Sequence, residues 1–193
     1  MALNIKETFE VEASIEKVWA FMMDPQAVAR CMPGAELGEV VDERTFEGTI
    51  KVRVGAVTTS YAGRVQFVEV DEAGRHVSMT AEGKETGGGT AMGTMSSRLT
   101  TLDDGRVQVA AEASVELTGR VAQVGRGLIQ GVSHQLFLQF VACAKETLEA
   151  IEGAEPTTAP ENAGPVNILP VILRAIWSGV SGFFRRLFGR SGD

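Results

Sequence analysis

The apolar residues of this chain change their spacing at Gly119, and that change limits the folds available to it. Across residues 45–117 they recur at every second position, as at Phe46 and Ile50, which is typical of strands with one buried face. Across residues 121–151 they recur at three- and four-residue steps, which predicts a single helix roughly 45 Å long. The long helix therefore follows a series of antiparallel strands.

The segment before these strands contributes one more strand and two short helices. Residues 2–13 alternate as a half-buried strand does, and Ser14 is a suitable N-cap for a helix that ends at Asp24-Pro25. A second short helix is predicted over residues 26–30, followed by a turn-rich connector over residues 31–37. After the connector we predict six strands. The fold class is thus α+β, with a curved antiparallel seven-stranded sheet around one long C-terminal helix.

Composition divides the chain into three parts. Residues 1–152 form the predicted ligand-binding domain, residues 153–166 a linker rich in Pro, Ala, Thr and Glu, and residues 167–193 an amphipathic tail helix. The sequence through residue 166 has a net charge of −10, whereas the tail has +3. A cationic, apolar tail on an acidic domain favours docking on an anionic lipid surface.

The tail is predicted to lie in the membrane interface rather than to span the bilayer, because Arg174 would otherwise lie well inside the hydrocarbon. An alternative is a helix that packs on the domain itself or on a partner protein. The candidate membrane-binding residues are Leu169, Ile172, Leu173, Arg174, Ile176, Trp177, Phe183, Phe184, Arg185, Arg186 and Leu187.

A bent sheet that holds one long helix leaves a gap between the two, and inward-facing residues would line it around an apolar ligand. The candidate ligand-binding residues are Met32, Ile50, Val52, Tyr61, Phe67, Met79, Met95, Val115, Leu117, Leu128 and Val132. Two alternatives stay open at this point. The methionines either adapt to a ligand or fill the core, and the glycines that open the helix, Gly119, Gly125, Gly127 and Gly131, allow either close packing or room for a flat ring.

Several functions are disfavoured by the sequence. The acidic domain argues against nucleic acid, and the N-terminus has no signal pattern, so we expect a cytoplasmic protein. Cys31 and Cys143 are far apart and unpatterned, so neither a disulfide nor a metal site is expected. We predict no catalytic residue, because His134 has no suitable partner in sequence and Glu7 either points into the gap or, as we favour, lies at a frayed strand end.

Four short segments resemble one known family: Cys31-Met32-Pro33-Gly34-Ala35-Glu36-Leu37, residues 46–55, Tyr61-Ala62-Gly63 and residues 117–125. Together they resemble the carbon monoxide dehydrogenase CoxG family of the START-like (SRPBCC) helix-grip superfamily, over about residues 2–150. The resemblance implies a helix-grip fold and an accessory protein of a molybdenum-containing carbon monoxide dehydrogenase or related molybdenum hydroxylase. It also implies binding of menaquinone or a similar isoprenoid quinone.

Three functional hypotheses follow. In the first, the chain lies on the cytoplasmic side of the cell membrane, contacts lipid through its tail, and carries a lipophilic quinone between bilayer and dehydrogenase. In the second, it is a ligand-free adaptor that only recruits the dehydrogenase. In the third and least favoured, it is a small hydrolase or cyclase, which needs an ionisable residue inside the gap.

Overall fold

A computed structural model describes residues 1–150; the predicted linker over 153–166 and tail over 167–193 lie outside the described residues. The elements, in chain order, are β1 (Ala2–Val11), α1 (Ile15–Met22), α2 (Pro25–Cys31), β2 (Ala35–Val40), β3 (Thr45–Val54), β4 (Val57–Asp71), β5 (His76–Glu85), β6 (Thr90–Thr101), β7 (Val107–Leu117), a short 3₁₀ turn (Val121–Gln123) and α3 (Arg126–Glu149). The predicted α+β class and the order of the elements are confirmed. None of the helices within residues 1–150 is both long and apolar enough to cross a membrane.

The seven strands form one antiparallel sheet in the order β1-β7-β6-β5-β4-β3-β2. From β2 to β7 each strand pairs with the next along the chain, and β1 closes onto β7, so that Phe9 lies opposite Val109. The predicted inward alternation holds across this pairing: Ile50 of β3 lies opposite Tyr61 of β4, and Met79 of β5 opposite Met95 of β6.

Both short helices begin at capping residues, of which Ser14 was predicted as a cap and Asp24 only as the end of the first helix. The Ser14 side chain accepts a hydrogen bond from the backbone nitrogen of Lys17 at 3.4 Å, and the Asp24 carboxylate accepts two from the start of α2 at 2.9 and 3.2 Å. Pro25 occupies the first turn of α2, where its missing N–H costs nothing. These caps set α1 and α2 against the end of the sheet.

A row of glycines crosses the middle of the sheet. Gly48 of β3 pairs with Gly63 of β4, which pairs with Gly83 of β5. A Cβ on Gly63 would lie 2.0 Å from the carbonyl oxygen of Glu82, so the neighbouring backbone approaches too closely for any side chain there. All three positions share the inward face, and the floor of the sheet is therefore bare backbone along this row.

Two predicted boundaries were wrong. The residues from Ala35 onward form an edge strand instead of a connector, with an irregular register between Leu37 and Val40. The long helix begins at Arg126 rather than near Gly119, because Gly119 and Gly125 adopt positive φ angles of 78° and 98° that no helix can contain. The apolar residues before it belong to the 3₁₀ turn.

Two clusters of buried apolar residues hold opposite ends of α3. The large cluster consists of Phe9, Val11, Ala13, Val18, Trp19, Phe21, Met22, Ala27, Cys31, Phe67, Val77, Leu99, Val107, Val109, Phe140, Ala144 and Leu148. The small cluster consists of Leu3, Val54, Leu117, Val121 and Ile129. The large cluster joins both short helices to the C-terminal half of α3, and the small cluster joins its first turns to the sheet.

The expectation that the cysteines stay unpaired was wrong. Cys31 at the end of α2 and Cys143 in α3 form a disulfide, with their Cα atoms 5.3 Å apart. Their sequence separation of 112 residues carries no signal of this pairing, which depends on the packing of α2 against α3. Cys31 belongs to the large cluster, and Cys143 packs against it. The bond therefore joins α2 to α3, two helices that lie far apart in the sequence.

Candidate ligand-binding cleft

Helix α3 crosses the concave face of the sheet and contacts it mainly near its two flanks. Its principal sheet contacts are with β1 on one side and β3 on the other. The strands between these two, from β7 to β4, contact the helix through the side chains of the two clusters. Between the clusters the inward face of the sheet stays partly exposed, and we call this region the central cleft.

The floor of the central cleft is apolar, and none of its residues belongs to either cluster. Every floor residue faces inward, yet each retains partial solvent exposure: Ile5, Ile50, Val52, Val65, Met95 and Ala113. Partial exposure on an inward face means that solvent reaches the floor from the side. The cleft is therefore open and lies between two well-packed regions.

The predicted ligand-binding residues divide into three groups. Ile50, Val52 and Met95 lie on the cleft floor, with Tyr61 buried beside them. Others pack into or against the clusters, and in this group Phe67 packs edge-to-face on Phe46 with ring centroids 5.5 Å apart. This second group consists of Phe67, Met32 and Met79 at the large cluster, and Leu117, Val115 and Val132 at the small one. Leu128, on the first turns of α3, is 44% exposed.

The glycines at the start of α3 are not sites of close packing. A Cβ added to Gly127 or Gly131 would meet no atom within 4 Å. Close packing of helix on sheet, one of the two interpretations open from the sequence, is therefore wrong for these positions. The first half of α3 is therefore open on the side of these two glycines, whereas Ile129 between them is buried in the small cluster.

Glu7 does not lie at a frayed strand end, so the interpretation favoured from the sequence is wrong. It occupies the middle of β1, opposite Ala111, and its side chain is only 18% exposed. Its carboxylate contacts Nδ1 of His134 on α3 at 2.8 Å. The pair bridges sheet and helix at one side of the central cleft. It was missed because the two residues are 127 positions apart.

A second carboxylate, which the sequence analysis did not single out, is buried beside the cleft. Glu85 ends β5 with its side chain 1% exposed, and Thr59 donates a hydrogen bond to its Oε1 at 2.7 Å. Tyr61, its cross-strand neighbour, is 7% exposed. Burial raises the pKa of the Tyr61 phenol above its ordinary value of 10.0, and the Glu85 charge raises it further. The phenol is thus held in its neutral, hydrogen-donating form.

A surface depression with a volume of about 520 Å³ opens on the outward face of the sheet, where Arg64, Gln66, Thr80 and Glu82 line it together with Met92. A smaller one lies at the turn before β3 and is lined by polar residues. Neither lies on the cleft floor. Across residues 1–150 no group of three or more His, Cys, Asp or Glu side chains is placed to hold a metal ion.

The geometry agrees with a comparison of the sequence against known families. The model of the carbon monoxide dehydrogenase CoxG family matches residues 8–149, most of the chain. The chain belongs to this family. The match begins within β1 and extends through α3, so it includes all of the cleft floor except Ile5. A comparison with curated proteins gave no match.

Solved structures with the same fold are START-like proteins. A conserved protein from Geobacillus kaustophilus is 23% identical, with a TM-score of 0.70 over 77% of this chain and 96% of its own. The ZhuI aromatase/cyclase from Streptomyces sp. R1128 is 15% identical, with a TM-score of 0.58 over 77% and 94%. A START superfamily protein from Mycobacterium smegmatis is 12% identical, with a TM-score of 0.54 over 76% and 97%. At these identities the likeness establishes the helix-grip fold of this CoxG domain, and only the fold.

Proposed function

We propose that this CoxG-family chain is a membrane-tethered accessory protein of a molybdenum-containing carbon monoxide dehydrogenase or a related molybdenum hydroxylase. We further propose that it binds a lipophilic quinone, such as menaquinone, in the central cleft and couples the enzyme to the respiratory chain. Family membership supports the association with the dehydrogenase. The observation that carries the quinone proposal is the apolar, solvent-reached floor between two packed clusters.

An isoprenoid quinone suits this floor for a physical reason. Removing apolar surface from water by covering it with a ligand is favourable by roughly 25 cal/mol of free energy per Å². Ile50, Val52 and Val65 present branched side chains of the same character as an isoprenoid chain, and Met95 adapts to irregular shapes. Covering this surface supplies the driving force for extracting the ligand from a bilayer.

The linker and the tail complete the proposal from the sequence. A flexible segment over residues 153–166 lets the domain move between bilayer and dehydrogenase. The apolar stripe and arginines of residues 167–193 suit the anionic cytoplasmic surface of the membrane. In this role the chain has no catalytic activity of its own, and the Glu7–His134 contact serves to hold α3 against β1.

The test blocks the cleft without touching either cluster. Ala113 lies on the floor of β7, opposite Ile5 and Met95, and its neighbour Ser114 points outward. The full chain is mixed with phosphatidylglycerol-containing vesicles loaded with menaquinone, separated from them, and analysed for quinone by mass spectrometry. We expect stoichiometric quinone in the wild type and in Ser114→Phe, and about tenfold weaker retention in Ala113→Phe.

A wild-type chain that takes up no menaquinone would overturn the quinone proposal, as would equal uptake by Ala113→Phe and wild type. The tail is tested separately by removing residues 167–193. That truncated chain should no longer float with the vesicles, and it should no longer bring the dehydrogenase to them.

A ligand-free adaptor is the second candidate. It is favoured by the packing of Phe67 and Leu117, two predicted ligand contacts, into the clusters. It predicts that Ala113→Phe recruits the dehydrogenase to vesicles and supports electron transfer to the quinone pool as well as the wild type does. The quinone carrier predicts normal recruitment with impaired electron transfer.

A further inference from the structure

Glu85 is a buried carboxylate with only one of its oxygens hydrogen-bonded. Oε1 accepts the hydrogen bond from Thr59, and an Arg120 guanidinium nitrogen lies 3.7 Å from it on a side chain that is 67% exposed. Oε2 is buried and has no hydrogen-bond partner within residues 1–150. A buried, unpaired carboxylate oxygen is costly, and so its persistence points to a partner that binds there.

The backbone around Oε2 is shaped to admit this carboxylate. A Cβ on Gly89 would lie 2.4 Å from Oε2, and one on Gly119 would lie 2.9 Å from it. The two glycines belong to the turn after β5 and to the segment after β7, which hydrogen bonds between Thr90 and Thr118 hold together. Oε2 is thus fixed in a built site rather than at the end of a mobile side chain.

Tyr61 carries the second unpartnered group. Its hydroxyl is buried and makes no hydrogen bond within the described residues. Its strand position is directly opposite that of Glu85, and both face inward, next to Ile50 on the floor of the central cleft. Cross-strand neighbours lie close enough for one small polar group to contact both. Glu85 Oε2 and the Tyr61 hydroxyl, both unpaired within residues 1–150, therefore lie at the same end of the cleft.

We propose that Tyr61 and Glu85 form the polar end of the ligand site and bind a ring hydroxyl, so that the cleft selects a quinol over the corresponding quinone. This inference rests on the proposed function, because it needs a ring in the cleft. The Glu85 oxygen accepts the hydrogen bond of the ring hydroxyl, and the Tyr61 hydroxyl donates to the oxygen of that same group. A quinone offers only acceptor oxygens, which the Glu85 carboxylate repels.

A purely structural role makes a different prediction. If Thr59 and Arg120 use Glu85 only to hold the turn after β5 to the segment after β7, removing its charge changes stability alone. Binding selectivity between quinol and quinone is therefore the measurement that separates the two roles.

The experiment compares both redox forms of one probe on the full chain. A menaquinone with a short isoprenoid chain, and the same compound reduced by dithionite under nitrogen, are titrated while tryptophan fluorescence is followed. We expect the wild type to bind the reduced form at least about tenfold more tightly, the ratio typical of one charge-assisted hydrogen bond. Glu85→Gln should lose this preference, whereas Glu82→Gln, an exposed and outward position on the same strand, should keep it.

The remaining outcomes separate the inference of quinol selectivity from the proposed function as a quinone carrier. Equal binding of both forms by the wild type, or an unchanged preference in Glu85→Gln, overturns the inference and leaves quinone carriage standing. Binding of neither form overturns the proposed function itself. If Glu85→Gln does not fold, Tyr61→Phe decides: weaker binding of the quinol supports the inference, because the donor to the ring oxygen is lost, and unchanged binding overturns it.

Discussion

The two halves of α3 differ in how tightly they pack against the rest of the fold. In the C-terminal half, Phe140 meets Phe9 and Phe21 with ring centroids 6.4 and 6.3 Å apart, and the disulfide at Cys143 ties the helix to α2. In the N-terminal half, Leu128 is largely exposed and the space around two glycines is empty. One half fixes the helix to the fold, and the other half covers the central cleft loosely. The tightly packed part of the helix and the part beside the open cleft therefore lie in different halves of α3.

For the ligand that we propose, this separation favours entry beside the N-terminal half of α3. Local opening of a folded protein occurs where few apolar contacts hold an element. Within residues 1–150 the small cluster holds the first turns of α3, whereas the large cluster holds its end. Movement of the first turns would widen the cleft without disturbing the large cluster.

The sharpest test of the comparison removes one side chain from each half. Phe140→Ala should destabilise the protein by about 3–5 kcal/mol, because it empties a buried aromatic site. Leu128→Ala should cost less than about 1 kcal/mol, since that side chain already contacts solvent. Urea denaturation of the full chain measures both. Similar losses at the two positions would show that the halves are equally packed.

The disulfide should contribute the next largest effect. Replacing Cys31 and Cys143 together by alanine should cost about 2–4 kcal/mol, because a long loop is released in the unfolded chain. The thermal midpoint of the oxidised wild type is compared with that of the double variant, and a reductant should bring the wild type to the same value.

Thiol labelling provides the control for this disulfide prediction. Purified protein oxidised in air should contain no reactive thiol, and two labelled cysteines would contradict the bond. Disulfides are rare in reducing cytoplasm, so a pair that is already oxidised when thiols are trapped in intact cells would count against the cytoplasmic location that we propose.

The smallest effect is expected at the open half of α3. Gly131→Ala should stabilise the protein by about 0.5–1 kcal/mol, because alanine favours the helix and its Cβ meets no neighbour. The reverse change, Ala142→Gly at an exposed position of the C-terminal half, should cost a similar amount. Loss of stability in Gly131→Ala would mean that the helix lies closer to the sheet than described.

The fold was predictable wherever neighbours in sequence decide the structure. Alternation predicted strands such as β3, Ser14 predicted the start of α1, and Asp24-Pro25 predicted its end. Each of these signals lies within a few residues of the element that it predicts. The same alternation placed Ile50, Val52 and Met95 of the cleft floor among the candidate ligand-binding residues, but not Ile5, Val65 or Ala113.

The features that the sequence did not predict depend on contacts between distant parts of the chain or on backbone angles. The disulfide and the Glu7–His134 contact need the packing of α2 and β1 against α3, which no local pattern contains. The start of α3 was misplaced because helical spacing continued across two glycines with positive φ. Glu85 alone had a usable signal: extending the inward alternation of β5 past Ala81 by two steps reaches it.

The glycine row through Gly48, Gly63 and Gly83 bears on how this domain could be re-engineered. Binding pockets are usually enlarged by trimming side chains, but here nothing is left to trim. Any substitution along the row can only make the central cleft shallower. The curvature of the main chain therefore limits how thick a ligand the cleft could bind. Directed evolution would have to act on the walls, where side chains remain to be exchanged.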